Sequence, residues 1–251
     1  MKKVLITGAR SGIGFNTGIY LERLGYDVIL AVHTNEELDT LKIKLKKMNS
    51  KIKAIKLDIT NEIDRLKIRD LDIDILINNA STCIGGSLIN INTNLVKKNF
   101  NTNVIGTLRL SQIFIAHLFL KRKQGKIIFI SSLAGIFPIT YTGSYSITKA
   151  SINMIAKVLK KELKSINMNT KIKLIEPGIY NTGFNDYMFS HIDNLSISNN
   201  HKKIFKSLGK NKLKGVSNTI YKSIISNNNK LIYRTNLFES ILVKIYNLLF
   251  S

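Results

Sequence analysis

The chain is expected to fold as an α/β protein, a doubly wound parallel sheet of about seven strands flanked by helices, because short apolar runs alternate with helical stripes along most of its length. Two further observations support that class. The first apolar run, Val4-Leu5-Ile6, ends in a glycine-rich turn that leads directly into a helical stretch. The later runs are continuous in Ile, Leu and Val, the pattern of strands buried on both faces.

Taken in order, residues 4–6 predict the first strand and 12–24 the first helix. Residues 28–32 predict a second strand, and Leu38, Leu41, Leu45 and Met48 form one stripe of a helix over 36–48. Apolar runs at 53–57, 73–77, 126–130 and 171–175 predict four more strands, with long helices over 95–120 and 144–164. After Pro177 the pattern lapses into a polar, Asn-rich stretch, and 183–214 reads as a flexible lid over a ligand or as a surface insertion. It carries Phe184, Tyr187, Met188, Phe189 and Ile192. A helix at 216–225 and a strand at 230–233 close one domain over residues 1–236.

Residues 237–251 form a C-terminal helix with Ser240, Lys244 and Asn247 on one stripe and a wide apolar face. It is shorter than the roughly 20 residues that a bilayer span requires. Two readings stay open: it packs against its own domain or a subunit partner, or it lies on a membrane surface.

The 38 Lys and Arg against 16 Asp and Glu give a net charge of +22. Such a balance suits a nucleic acid, an anionic membrane or an acidic substrate, but Lys, Asn and Ile are abundant everywhere, as an AT-rich coding sequence supplies them. No compact basic motif with interleaved aromatics stands out, so no nucleic-acid partner is expected. Cys83 is the only cysteine, which excludes an intrachain disulfide and fits a reducing compartment. The opening residues are too soon interrupted by Thr7-Gly8 for a signal peptide, and the expected location is cytoplasmic, with peripheral membrane association as a variant of it. His33, His117, His191 and His201 are scattered without ligand spacing, so no metal site is expected.

Thr7-Gly8-Ala9-Arg10-Ser11-Gly12-Ile13-Gly14 falls between the first strand and the first helix. Glycines there permit a tight turn and close approach of backbone to a pyrophosphate, which the positive helix end then holds. The spacing Gly-x3-Gly-x-Gly resembles that of the short-chain dehydrogenase/reductase family, and further motifs follow in the family's order. Asp58 in Leu57-Asp58-Ile59-Thr60 matches its adenine-contacting Asp, and Asn78-Asn79-Ala80-Ser81 is similar to its Asn-Asn-Ala-Gly signature with Ser81 in place of Gly. Asn103 takes the place of its helix Asn, Tyr145-Ser146-Ile147-Thr148-Lys149 its Tyr-x-x-x-Lys pair, and Pro177-Gly178-Ile179-Tyr180-Asn181-Thr182 its Pro-Gly turn. The matches cover residues 4 to about 182.

The resemblance implies a Rossmann-type fold and an NAD(P)-dependent oxidoreductase that interconverts a carbonyl and an alcohol. Tyr and Lys four apart share a helix face, so the ammonium is expected to lower a phenol pKa that is about 10 unperturbed. Tyr145 is then the general acid in reduction and the base in oxidation. Lys149 also holds the nicotinamide ribose, Ser132, thirteen residues before the Tyr, orients the substrate oxygen, and Asn103 holds a water between Lys149 and bulk solvent. The cofactor would contact Gly8, Arg10, Ser11, Gly12, Ile13, Gly14, His33, Asp58, Asn79, Ala80, Tyr145, Lys149, Pro177, Gly178, Ile179 and Thr182. Val32 stands where an acidic residue would select NAD, and His33 with Arg10 favours NADP(H), NAD(H) remaining possible in principle. The lid aromatics point to an apolar substrate, and the family's habit of pairing its long helices implies a homodimer or homotetramer. A nucleotide-sensing regulator that binds NADP without turnover is the alternative function.

Overall fold

In the computed structural model, which describes residues 1–190 and 195–250, the apolar runs become seven strands: β1 (Lys3–Ile6), β2 (Asp27–Val32), β3 (Lys53–Lys56), β4 (Ile75–Asn78), β5 (Lys126–Ile130), β6 (Lys171–Glu176) and β7 (Ile232–Arg234). All pair in parallel, in the order β3-β2-β1-β4-β5-β6-β7. The helices are α1 (Gly12–Arg23), α2 (Asn35–Lys47), α3 (Glu62–Leu66), α4 (Thr93–Phe100), α5 (Thr107–Leu120), α6 (Gly143–Ser165), α7 (Phe184–Phe189), α8 (Leu195–Leu208), α9 (Lys214–Ile225) and α10 (Leu237–Phe250). This is the expected Rossmann-type class, with most predicted ends shifted by no more than one or two residues.

Strand side chains alternate between two cores. Val4, Ile6, Val28, Leu30, Ile75, Ile77, Ile128 and Ile130 pack with α1, α2 and α9 on one face. Leu5, Ile29, Leu76, Ile127, Phe129 and Leu174 pack with α5 and α6 on the other, against Leu110, Phe114, Ile152 and Ala156. The central strands therefore need apolar residues at nearly every position, and Lys126 in β5 and Lys173 in β6, both buried, stand out. Their ammonium groups clamp the chain after α9: Lys173 Nζ donates to Asn228 O (2.8 Å) and Lys230 O (2.9 Å), and Lys126 Nζ to Ser226 O (2.9 Å) and the Ile224 carbonyl. Burial holds both lysines down at about 8.

The strand order reverses at β1, which has β2 on one side and β4 on the other. The crevice beyond the carboxyl ends of β1 and β4 is the place such sheets offer a ligand. Residues 93–120 form one continuous helical run, long and apolar enough by composition alone to cross a membrane, but Leu110, Ile113, Phe114 and Leu118 are buried in the sheet core. Within it, residues Asn101–Gly106 make a π-turn.

The region read as an Asn-rich flexible stretch holds helices: α7 and α8 lie within it. Met188, Phe189 and Phe205 are buried there with Cys83, so a satellite core orders a segment that its Asn and Lys content makes look like loop. Ile192 and His191 lie outside the described residues. The C-terminal helix forms as α10 and meets its own domain through residues that include Glu239, Val243 and Tyr246, while most of its apolar residues stay exposed.

Candidate functional site

The glycine turn after β1 opens onto the switch-point crevice. Gly8 adopts φ +61°, and a Cβ there would lie 2.5 Å from Ala80 Cα, so the loop after β1 and the loop after β4 touch through backbone. Thr7 fastens them: its Oγ1 accepts from Asn79 N (3.1 Å) and Ala80 N (3.0 Å). The Asn79 amide donates to Thr7 O and Gly8 O, both at 2.9 Å, and fills the space beside Gly14. Asn79 thus shapes the turn, while Gly8, Arg10 and Ser11 face solvent and Ile13 packs against the core. Ser11 caps α1 in position but makes no side-chain cap bond, and the first turn of α1 has no acidic residue, so its N–H groups and positive end remain available to an anion.

The side of the crevice beyond β2 and β3 holds His33 and Asp58. His33 Nε2 sits 3.3 Å from Asp58 Oδ2, and Asp58 Oδ1 accepts from Thr60 N (2.8 Å) and Thr60 Oγ1 (2.7 Å). Burial would raise the Asp58 carboxyl, but the Thr60 hydrogen bonds and nearby His33 outweigh it and hold it low. Glu37, which the sequence reading missed, enters the same corner from α2. Its Oε2 accepts from His33 N (2.9 Å) and its Oε1 lies 3.5 Å from Arg10 Nη1. Its place in the first turn of α2 is the only signal that could have found it. A carboxylate therefore reaches the region that Val32, ending β2, leaves uncharged.

Beyond β5, Ser131 is buried and donates to the Lys149 carbonyl (3.2 Å), a structural role. Ser132 Oγ accepts from Ala134 N (3.1 Å), starting a tight turn, and lies near enough to the Tyr145 phenol to favour its ionised form. Tyr145 and Lys149 lie one turn apart on α6, with Lys149 Nζ 5.3 Å from the Tyr145 ring centre. The ammonium donates to Ile130 O (2.9 Å). Burial pushes the Tyr145 phenol up, reinforced by nearby Cys83 and only opposed by Ser132, so the direction is opposite to the lowering that the spacing alone suggests. Burial holds Lys149 down at about 8.

Asn103, in the π-turn, lies behind this pair. Its Oδ1 accepts from Thr82 N (2.7 Å), and its amide donates to Thr82 O (2.8 Å) and Thr148 Oγ1 (3.0 Å). It ties the loop after β4 to α6 one residue before Lys149, not to Lys149 itself. The Pro177–Thr182 segment after β6 forms the opposite wall. Pro177 O accepts from Leu133 N (3.0 Å), Ile179 O accepts from Lys210 N (3.0 Å), and Thr182 closes on Gly12, 3.3 Å from where its Cβ would stand. Gly178 lies beside Glu239, whose Oε1 would be 2.7 Å from an added Cβ. Over the phenol, Phe184 meets Tyr145 edge-on at 5.6 Å, with Ile139, Ile179, Met188 and Phe189 around it. Among the described residues no group of His, Cys, Asp and Glu could hold a metal ion.

Comparison with known proteins bears on the family and the fold. The family model for short chain dehydrogenase matches residues 2–193. A 3-ketodihydrosphingosine reductase of Bacteroides thetaiotaomicron is 32% identical over 189 residues, 73% of this chain and 65% of its own length. A very-long-chain 3-oxoacyl-CoA reductase of Coccidioides immitis is 31% identical over 178 residues, 67% of this chain and 51% of its own. The matched region thus spans between half and two thirds of these relatives. The crystal structure of a short chain dehydrogenase/reductase from Burkholderia phymatum in complex with NAD has the same fold, with a TM-score of 0.84 at 20% identity over 97% of this chain and 92% of that one. With three quarters of its residues under one family model, the chain belongs to the short-chain dehydrogenase family.

Proposed function

We propose that the chain is a nicotinamide-dependent oxidoreductase that interconverts a carbonyl and an alcohol, with Tyr145 as the proton-transfer group. The observation that carries this reading is the grouping of Ser132, Tyr145 and buried Lys149 beyond the carboxyl end of β5, with Ser132 close enough to act on the phenol and Lys149 Nζ 5.3 Å from its ring centre. The crevice fits the cofactor, since only glycine leaves room where Gly8 meets Ala80, and the end of α1 offers unpaired N–H groups. Gly8, Arg10, Ser11, Gly12, Ile13 and Gly14 would hold its pyrophosphate, His33, Asp58, Asn79 and Ala80 its adenosine half, and Pro177, Gly178, Ile179, Thr182, Tyr145 and Lys149 its nicotinamide half. When bound, this cofactor supplies or accepts the hydride.

In reduction the Tyr145 phenol donates its proton to the substrate oxygen as negative charge develops there, and the Ser132 hydroxyl donates a hydrogen bond to the same oxygen. A raised phenol pKa suits the donor, because the group stays protonated until the substrate oxygen becomes basic. Lys149 returns a proton toward Tyr145, and Asn103 holds the water that links it to solvent. Phe184, Met188 and Phe189 around the phenol favour an apolar substrate, and the two relatives named above are, by name, reductases of 3-ketodihydrosphingosine and of very-long-chain 3-oxoacyl-CoA. A homodimer or homotetramer through α5 and α6 accords with exposed Ile105, Ile147, Met154 and Val158 on that side. Buried, unpaired Cys83 accords with a cytoplasmic setting.

The test is a panel of carbonyls and alcohols followed at the reduced-nicotinamide absorbance band with NADPH and NADH. Turnover of apolar ketones is expected, with the reductive rate falling as pH rises through about 8, where Lys149 loses its proton. Cofactor binding without oxidation of NADPH by any carbonyl would support the sensor alternative instead.

NADP(H) is the favoured cofactor because β2 ends without a carboxylate and Arg10 and His33 flank the ribose corner. Glu37 opposes that preference, since a 2′-phosphate must draw Arg10 away from it. Glu37→Gln is expected to improve NADPH over NADH by roughly fivefold in Kd, about 1 kcal/mol for a partly exposed ion pair. An unchanged ratio in fluorescence titrations would mean that Glu37 swings clear at no cost.

A further inference from the structure

We propose that the outer face of α10 docks onto an anionic lipid bilayer and sets the rim of the Tyr145 crevice against it. The proposal rests on the oxidoreductase reading for its purpose but not for the docking itself.

The burial of α10 runs against its composition. Glu239, its one carboxylate, is turned inward, accepting from Lys210 Nζ (2.6 Å) and Thr235 N (2.9 Å), while Asn236 Oδ1 accepts from Glu239 N (2.7 Å) at the helix start. Val243 is buried one turn on, and the Tyr246 ring packs edge-on against Phe137 at 4.9 Å. These three positions make one inward stripe. Leu237, Phe238, Ile241, Leu242, Ile245, Leu248 and Leu249 remain exposed, from 38% to 85%. At 3.6 residues per turn they share a single arc of about 140°, with Ser240, Lys244 and Asn247 on the arc between it and the domain. An apolar face of this extent is a binding surface by ordinary standards.

Charge selects the occupant. A second copy would bring another +22 chain onto the same face, whereas an anionic bilayer takes up the apolar arc and attracts the positive protein together. On α10 itself the only carboxylate is neutralised by Lys210, leaving Lys244 as the exposed charge. With one wide apolar arc and a polar side, α10 suits the interfacial plane. It also forms part of the crevice rim: Glu239 backs Gly178, and Tyr246 holds Phe137 in the loop between Ser132 and Tyr145. A docked molecule could draw an apolar ketone from the bilayer without passing it through water.

The chain contains no tryptophan, so Phe238→Trp gives a single reporter on the exposed arc. With vesicles of phosphatidylcholine and phosphatidylglycerol, its emission is expected to shift to the blue, and the wild-type chain is expected to float with them. Phosphatidylcholine vesicles alone or high salt should weaken flotation. The triple variant Phe238→Ser, Ile241→Ser, Leu248→Ser should lose at least about tenfold in vesicle affinity while keeping its melting temperature and its turnover of a water-soluble ketone. Absence of flotation and of a blue shift at low salt would overturn the proposal, as would equal binding by the triple variant. So would an oligomer in vesicle-free buffer that the triple variant converts to monomer, since the face would then belong to a second copy. Flotation requires no activity, so vesicle binding without turnover would sink the oxidoreductase reading and leave the docking in place.

Discussion

Tyr145→Phe is expected to lower kcat/KM for carbonyl reduction by roughly 10³-fold, about 4 kcal/mol of transition-state stabilisation, within the range that a positioned general acid contributes. Little else should change. The phenyl ring keeps the edge-on contact with Phe184 at 5.6 Å and its place among Ile139, Ile179 and Phe189. Only the hydroxyl and its contact with Ser132 are removed, a loss of about 1 kcal/mol even if that contact counts as a full neutral hydrogen bond. Melting temperature and NADPH affinity are therefore expected to stay near those of the wild type, so the activity loss would report chemistry and not folding. Ser132→Ala should retain more activity, because the phenol can still donate its proton while the substrate oxygen loses one orienting partner. If Tyr145→Phe turned over the best substrate at the wild-type rate, the proton would come from another group, and the role assigned to the Ser132–Tyr145–Lys149 cluster would be wrong.

The sheet was legible because its strands are buried on both faces, which forces apolar residues at nearly every position from Val28 to Val32 and from Ile127 to Ile130. The glycine turn, Asn79, Asn103, Ser132 and Tyr145 stood out because their motifs follow one another in the order of a known family, and the strand ends bring the turn, Asn79 and Ser132 to one edge of the sheet. Interactions between distant segments were not legible. Nothing in the local pattern of α2 says that Glu37 bends toward Arg10, because Glu in a first helical turn is ordinary helix chemistry. Thr7 and Thr148, which hold Asn79 and Asn103 in place, look like any hydroxyl at a strand end or on a helix. Helix α8 was obscured because its ordering contact, Phe205 on Phe189, joins residues whose neighbours are mostly Asn, Lys and Ser. Helical periodicity identified the apolar arc of α10 but could not say that it faces outward, since burial of Glu239 by Lys210 is a tertiary choice. The excess of lysine was visible, yet two lysines, Lys126 and Lys173, are internal clamps, so the total overstates the charge shown to a partner.

Gly8→Ala is expected to abolish measurable cofactor binding, with an affinity loss of ~10²-fold or more, and to lower the melting temperature by several degrees. Two costs combine at this position. The backbone sits at φ +61°, where an L side chain is strained by about 1 kcal/mol or somewhat more. The new Cβ would also stand 2.5 Å from Ala80 Cα, an atom that cannot rotate away. Relief requires the loop after β4 to retreat, which pulls Ala80 N and Asn79 N off Thr7 Oγ1 and the Asn79 amide off Thr7 O and Gly8 O. Those bonds shape the turn whose N–H groups would face the pyrophosphate, so the damage falls on the cofactor crevice first. Gly25→Ala separates the two costs. Gly25 has φ +83° with nothing within 4 Å of its added Cβ, and it lies in the turn after α1, away from the crevice. It should lose stability by the conformational strain alone and bind NADPH as the wild type does. Fluorescence titration and thermal melting of the pair, with and without NADPH, distinguish the outcomes. Equal affinity in Gly8→Ala and Gly25→Ala would show that the crevice beside Gly8 does not hold the cofactor, and the assignment of the glycine turn would fall with it.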